Sequence, residues 1–231
     1  MFIAILLFVG TLLLSLWAQS RVKSTYNKYL EMPAGSGMTG AQAAALVMQR
    51  AGIHDVEILE QDQFLGDHYD PSNKRLVLSR ENYNGTSVSA VGVAAHEAGH
   101  AIQHKQAYGP LEWRMAAVGI TGIASQVVMW LPLIGMFTGF VSGTTMMWIM
   151  ALGWGVIMAF QLVTLPVEFD ASSRAKKVLN ELAIVRTQEE ANGVSAVLSA
   201  AAWTYVAAFI TSLGYLLYHL LPLIMGRSDE E

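Results

Sequence analysis

The sequence predicts a mainly α integral membrane protein, with about four transmembrane helices and a small α+β unit that carries an H-E-x-x-H helix. Three observations predict it. Only 14% of the residues are charged and 53% are apolar, against roughly 25% charged in an ordinary soluble domain. Uncharged runs long enough to cross a bilayer recur along the chain. Between the first and second of these runs lies a polar stretch containing VGVAAHEAGHAIQHKQ, Val91 to Gln106. A net charge of -4 gives no basic surface for nucleic acid. The absence of cysteine excludes disulfides and thiolate ligands, so a transition metal would have to be held by histidine and carboxylate.

Residues 1–20 are uncharged and form an N-terminal transmembrane anchor. Arg21, Lys23 and Lys28 follow the apolar run instead of preceding it, which is the reverse of a secretory signal, so the segment is read as retained. Residues 21–114 form the α+β segment. Thr39 is placed to cap a short helix over GAQAAALVMQRAGI that Gly52 ends. VEILEQ reads as a strand, and LGDHYDPSNKRLVLS as two strands around a DPSN turn, with Leu76 and Leu78 alternating against Val77. A polar turn accounts for Asp67, His68 and Asp70 better than a second metal site does. Ser87 or Thr86 then caps the helix bearing the motif, which stops near Tyr108, Gly109 and Pro110.

From Met115 to Val167 there is no Lys, Arg, Asp or Glu, about twice the length one crossing of roughly 20 residues needs. Transmembrane helices two and three are therefore placed at 115–165, with their turn marked by Gly135, Gly139 and Gly143 after Pro132. A helical segment follows at 166–198, transmembrane helix four at 199–221 and a polar tail at 222–231. Met146, Met147 and Trp148 read as packing or lipid-facing residues and His219 as interfacial. Arg21, Lys23 and Lys28 after the first span, and Arg174, Lys176, Lys177 and Arg186 before the fourth, put both loops on the cytoplasmic side of the cell inner (plasma) membrane. Arg227 alone counts the other way.

His96, Glu97 and His100 spell H-E-x-x-H. Four residues make a little over one helical turn, so both imidazoles project from one face and can meet one ion, with Glu97 beside the water on it. On this chain's composition the pattern arises by chance on the order of once in a hundred sequences. Small apolar neighbours such as Ala94, Ala95 and Ala98 favour packing, and Gly99 allows a close approach inside the motif. Two histidines leave room for one further protein ligand and a water, which is a catalytic pattern. The cofactor expected is Zn2+, one per chain. Gln103 and Gln106 occupy the Gly and third-His places of the longer H-E-x-x-H-x-x-G-x-x-H signature, so the third ligand must come from elsewhere. The only acids between Glu112 and Glu181 are Glu168 and Asp170, in LPVEFDASSRAKK. Two crossings after His100 return the chain to the side it left, which makes Glu168 the third ligand and Asp170 a partner orienting a histidine. His104 and Arg174 are the oxyanion candidates.

The segments DHYDPSNKRLVLS, VAAHEAGHAIQH and LPVEFDASSRA, with an N-terminal anchor and three later spans, closely resemble the bacterial membrane family of neutral zinc metallopeptidases over nearly the whole chain. More distantly, EFDAS is similar to the E-F-x-x-D segment of membrane gluzincins, in which the Glu binds zinc and the Asp four residues on braces a histidine. Ser172 stands at that later position here, and Asp170 comes two residues early. The resemblance implies a gluzincin-like metallopeptidase unit acting on a protein or peptide substrate at the edge of the lipid bilayer.

The expected mechanism is peptide-bond hydrolysis by a zinc-activated water with Glu97 as general base. A substrate strand is expected along the edge of the Arg75–Ser79 strand. Two alternatives are an intramembrane protease of the site-2 type, which pairs its motif with an Asp-Gly dipeptide absent here, and a non-catalytic zinc-binding scaffold, in which Glu97 would have no task.

Overall fold

The computed structural model describes residues 2–63, 65–139 and 141–225. Met1, Arg227 and the part of the polar tail from Gly226 onward lie outside the described residues. The elements run α1 (Phe2–Leu30), α2 (Gly40–Arg50), β1 (Glu57–Gln61), β2 (His68–Asp70), β3 (Arg75–Ser79), α3 (Arg80–Asn84), α4 (Val88–Lys105), α5 (Gly109–Thr138), α6 (Gly143–Glu181) and α7 (Gln188–Met225).

Four helices, α1, α5, α6 and α7, are long and apolar enough to cross a membrane. Each extends past the uncharged run that announced it, because helix continues wherever propensity allows and no breaker intervenes. α1 runs on through Arg21, Lys23 and Lys28 to Leu30, and α6 carries its apolar stretch and Glu168 on one uninterrupted rod. α5 opens with Pro110 in its first turn, where a missing N–H costs nothing, and passes through Pro132 before ending at Thr138. Gly135 therefore lies inside α5 and Gly143 begins α6, so the turn narrows to 139–142.

The chain divides into two compact units. One comprises Met1–Trp17, Trp113–Leu165 and Thr204–Glu231, the apolar lengths of the four long helices. There Trp154 of α6 stacks on Tyr215 of α7 with ring centroids 4.6 Å apart. Gly153 of α6 leaves space that the Val128 side chain of α5 fills, and Gly214 of α7 does the same for Leu7 of α1. These are the small-residue contacts by which helices associate in lipid, where burying apolar surface gains little.

The other unit comprises Ala18–Glu112 and Pro166–Trp203. Its core joins Val47 and Met48 of α2, Leu76 and Leu78 of β3, Val88 to Ile102 along α4, Leu179 of α6 and Val194 of α7. α2 is fixed at its start by a reciprocal cap: the Thr39 hydroxyl accepts from the Gln42 N–H, and the Gln42 side chain accepts from the Thr39 N–H. The sheet order is β1-β3-β2, with β1 parallel and β2 antiparallel to β3. Asp70 holds the hairpin turn by accepting from the backbone of Ser72 and Asn73. The Arg75–Ser79 strand is thus the central one, both of its edges taken by neighbours, and it cannot add a substrate strand. The sequence showed the β2–β3 hairpin but not the distant pairing with β1.

Asp67 ties the sheet to the helices. Its carboxylate accepts from the Ser79 N–H and hydroxyl and from the Asn82 side-chain amide. The Asn82 carbonyl in turn accepts from the buried Tyr26 hydroxyl of α1 at 2.7 Å. Burial pushes the Asp67 carboxyl above its usual range, so these donors offset a real desolvation cost. The substitution Asp67→Ala leaves Ser79 and Asn82 without an acceptor and should destabilise the unit by about 2–4 kcal/mol, read as a fall in the thermal midpoint of the purified protein in detergent; an unchanged midpoint would show that the network is incidental.

Candidate metal centre

α4 starts where the Ser87 side chain accepts from the Ala90 N–H, and the regular turn that follows puts His96 and His100 on one face. Their rings meet edge to face with centroids 4.8 Å apart. Against this face lies α6. A Cβ on Gly99 would stand 2.7 Å from the Ala171 carbonyl oxygen, so glycine inside the motif is what lets the two backbones touch. Glu168, one turn before Ala171, is thereby carried to the imidazoles.

The Glu168 Oε2 atom lies 3.2 Å from His96 Nε2 and 3.6 Å from His100 Nε2. One ligand atom from each of the three residues falls within 4.8 Å of the others, and no other such group of three exists among the described residues. All three side chains are almost wholly enclosed. Ligand atoms about 2.0–2.1 Å from a tetrahedral zinc stand about 3.3 Å from one another, so the donor types and the two carboxylate–imidazole separations fit the ion. His96, His100 and Glu168 can hold a metal. Glu97, on the adjoining flank of α4, is 8% exposed, and burial drives its carboxyl above the usual range although the two imidazoles pull the other way.

The far side of each imidazole is also held. His96 Nδ1 lies 3.1 Å from the Ser172 hydroxyl. His100 Nδ1 lies 2.9 Å from Gln103 Oε1, while the Gln103 amide donates 2.8 Å bonds to the Val167 carbonyl and to Asp170 Oδ2. Asp170 therefore touches neither histidine and reaches His100 only through Gln103. Arg174, a candidate oxyanion donor from sequence, instead binds Asp170 and the Gln106 side chain and lies over the Tyr108 ring. His104 also turns away from the cluster: its Nδ1 pairs with the Tyr69 hydroxyl at 2.9 Å, at the wall of a cavity of about 420 Å³ shared with Asp55, Lys74 and Lys105.

Gln103 and Ser172 are the two contacts that sequence reasoning passed over. In the sequence both stood only as departures from longer signatures; Gln103 binds His100 on its own helix and Val167 and Asp170 on α6, and Ser172 meets His96 across the helix contact. The substitution Gly99→Val should push α6 from α4 and reduce bound zinc from one equivalent to well below one per chain, measured by metal analysis after dialysis, with α-helical content retained.

The chain is similar to known proteins over nearly all its length. Residues 4–224 match the model of a family described as "Putative neutral zinc metallopeptidase". The chain is 43% identical over 231 residues to the "Putative membrane protease YugP" of Bacillus subtilis (strain 168), covering 98% of this chain and 99% of that protein. No solved structure matches the chain significantly. Matched over nearly all its length and carrying two histidines and a glutamate that can hold one ion, the chain belongs to the family so described.

Proposed function

We propose that the protein is a membrane-embedded, zinc-dependent metallopeptidase with a gluzincin-like site, hydrolysing peptide bonds of a protein or peptide substrate. One Zn2+ per chain would be held by His96, His100 and Glu168. The observation that carries this reading is the hydrogen-bonding order around His100. The Gln103 amide spends its N–H groups on two pure acceptors, so its oxygen faces Nδ1 and makes that nitrogen the donor. In the neutral ring, Nε2 then turns a lone pair toward the Glu168 carboxylate, 3.6 Å away. Two acceptors face to face are satisfied by a cation between them, a proton on the imidazole in the empty site or a metal ion in its place.

When bound there, zinc supplies Lewis acidity, lowering the pKa of a coordinated water to about 7 and polarising the scissile carbonyl. Glu97 does the proton work: its carboxylate takes a proton from the attacking water and returns it to the leaving nitrogen. Its burial by itself raises its proton affinity. Asp170 acts as a brace and not as a base.

Glu168 sits three residues beyond Leu165, about 4.5 Å along the axis of α6, and α6 is uncharged from Gly143 to Val167. We therefore place the active site at the membrane–cytoplasm interface of the plasma membrane. Arg21, Lys23 and Lys28 in α1, with Arg174, Lys176, Lys177 and Arg186 around the end of α6, support the cytoplasmic side.

The variant Glu97→Gln should keep one zinc per chain while cleavage of a quenched peptide library falls by about a hundredfold or more; undiminished cleavage would remove Glu97 from the mechanism. The cysteine-free sequence allows a direct test of orientation. A single Ser142→Cys should react with an impermeant maleimide on intact cells, and a single Lys177→Cys only after lysis; the opposite pattern would invert the topology.

A further inference from the structure

We infer that Gln103 is a positioning residue of the metal centre, an amide through which Asp170 acts on the ligand His100. The inference rests on the zinc reading above and adds to it a residue with its own measurable consequence.

The two histidines are held differently. A hydroxyl can donate or accept, so Ser172 leaves either tautomer open to His96. Gln103 leaves no such choice. It is completely buried, and its two N–H donors point at the Val167 carbonyl and the Asp170 carboxylate, neither of which can donate. Its oxygen can only accept, and His100 Nδ1 must donate to it. In the neutral ring the Nε2 lone pair is thus aimed at the position shared with His96 and Glu168. An amide polarised by a carboxylate on one side is a better acceptor on the other, so the charge of Asp170 reaches the imidazole and strengthens it as a ligand. Arg174 holds Asp170 from the far side and is itself bound by Gln106. Gln103 also joins the elements that carry the ligands, since its three partners lie on α4 and α6.

This order of donors and acceptors can be broken and rebuilt. Gln103→Met keeps the bulk and removes every hydrogen bond. Gln103→Glu keeps an acceptor for His100 but sets a second carboxylate against Asp170. In the double variant Gln103→Glu/Asp170→Asn, the new amide donates to the new carboxylate, which again accepts from His100, and only the bond to the Val167 carbonyl stays lost.

The test is competition of the full-length apoprotein in detergent against a chromophoric chelator for Zn2+, with helical content and thermal midpoint recorded for each variant. Both single variants should bind zinc about 10- to 100-fold more weakly than wild type, and the double variant, which restores the bonds to position 170 and His100 but not the one to Val167, should bind at least about fivefold more tightly than Gln103→Glu. In 15N spectra of histidine-labelled apoprotein, His100 should populate the Nδ1-protonated form in wild type and in the double variant and lose that preference in Gln103→Met. Wild-type affinity in folded Gln103→Met, or a double variant no better than Gln103→Glu, overturns the inference while leaving the zinc reading intact. If Gln103→Met fails to fold, the comparison of Gln103→Glu with the double variant decides. A wild-type protein that binds no zinc overturns both.

Discussion

The arrangement depends on one place where two helical backbones touch. At Gly99 the α4 backbone meets the Ala171 carbonyl of α6 with no room for a side chain. Such an approach needs glycine on one side and a small residue on the other. Its effect is positional. With contact fixed at Ala171, Glu168 must lie one turn back beside His96 and His100, and Ser172 and Asp170 flank it on the same stretch of α6. Two histidines and a glutamate about seventy residues further along the chain come together as one group that can hold a metal because two helices share one contact.

The rest of that unit keeps α4 in place for this contact. α2 packs on it from one side with Val47 and Met48, β3 supplies Leu76 and Leu78, and α7 supplies Val194 against Gly92. The polar seams are satisfied as they are buried. Tyr26, Asn82 and Asp67 form one chain of hydrogen bonds, and the Ser89 hydroxyl donates to the Tyr26 carbonyl. A site made of enclosed acceptors needs such rigidity, because a misplaced buried carboxylate is costly.

Much of this was legible in the sequence because it is local. The H-E-x-x-H spacing, the Thr39 cap, the DPSN hairpin and the four apolar helices each follow from residues within a few positions of one another. The Glu168 candidate came from counting crossings, an argument that needs no packing detail. What escaped was set by distant partners. β3 became the central strand through pairing with β1, which no periodicity reveals, and the substrate edge expected there went with it. His104 shares the face of His100 yet finds Tyr69 on β2. Arg174 looked free for catalysis until Asp170 and Gln106 were placed beside it. Gln103 was visible only as the wrong residue for a longer signature, while its actual role depends on the Val167 carbonyl across the helix contact.

The continuity of α6 has a mechanical consequence. No loop in this 39-residue helix separates Glu168 from the uncharged stretch that runs from Gly143 to Val167. Pro166 is the weak point in that rod, since it cannot offer an N–H to the Leu162 carbonyl one turn earlier. It lies two residues before Glu168, so bending there would swing the carboxylate while leaving the helix on either side straight. A bend at Pro166 would thus act on Glu168 directly and on neither histidine, since both of those are carried by α4.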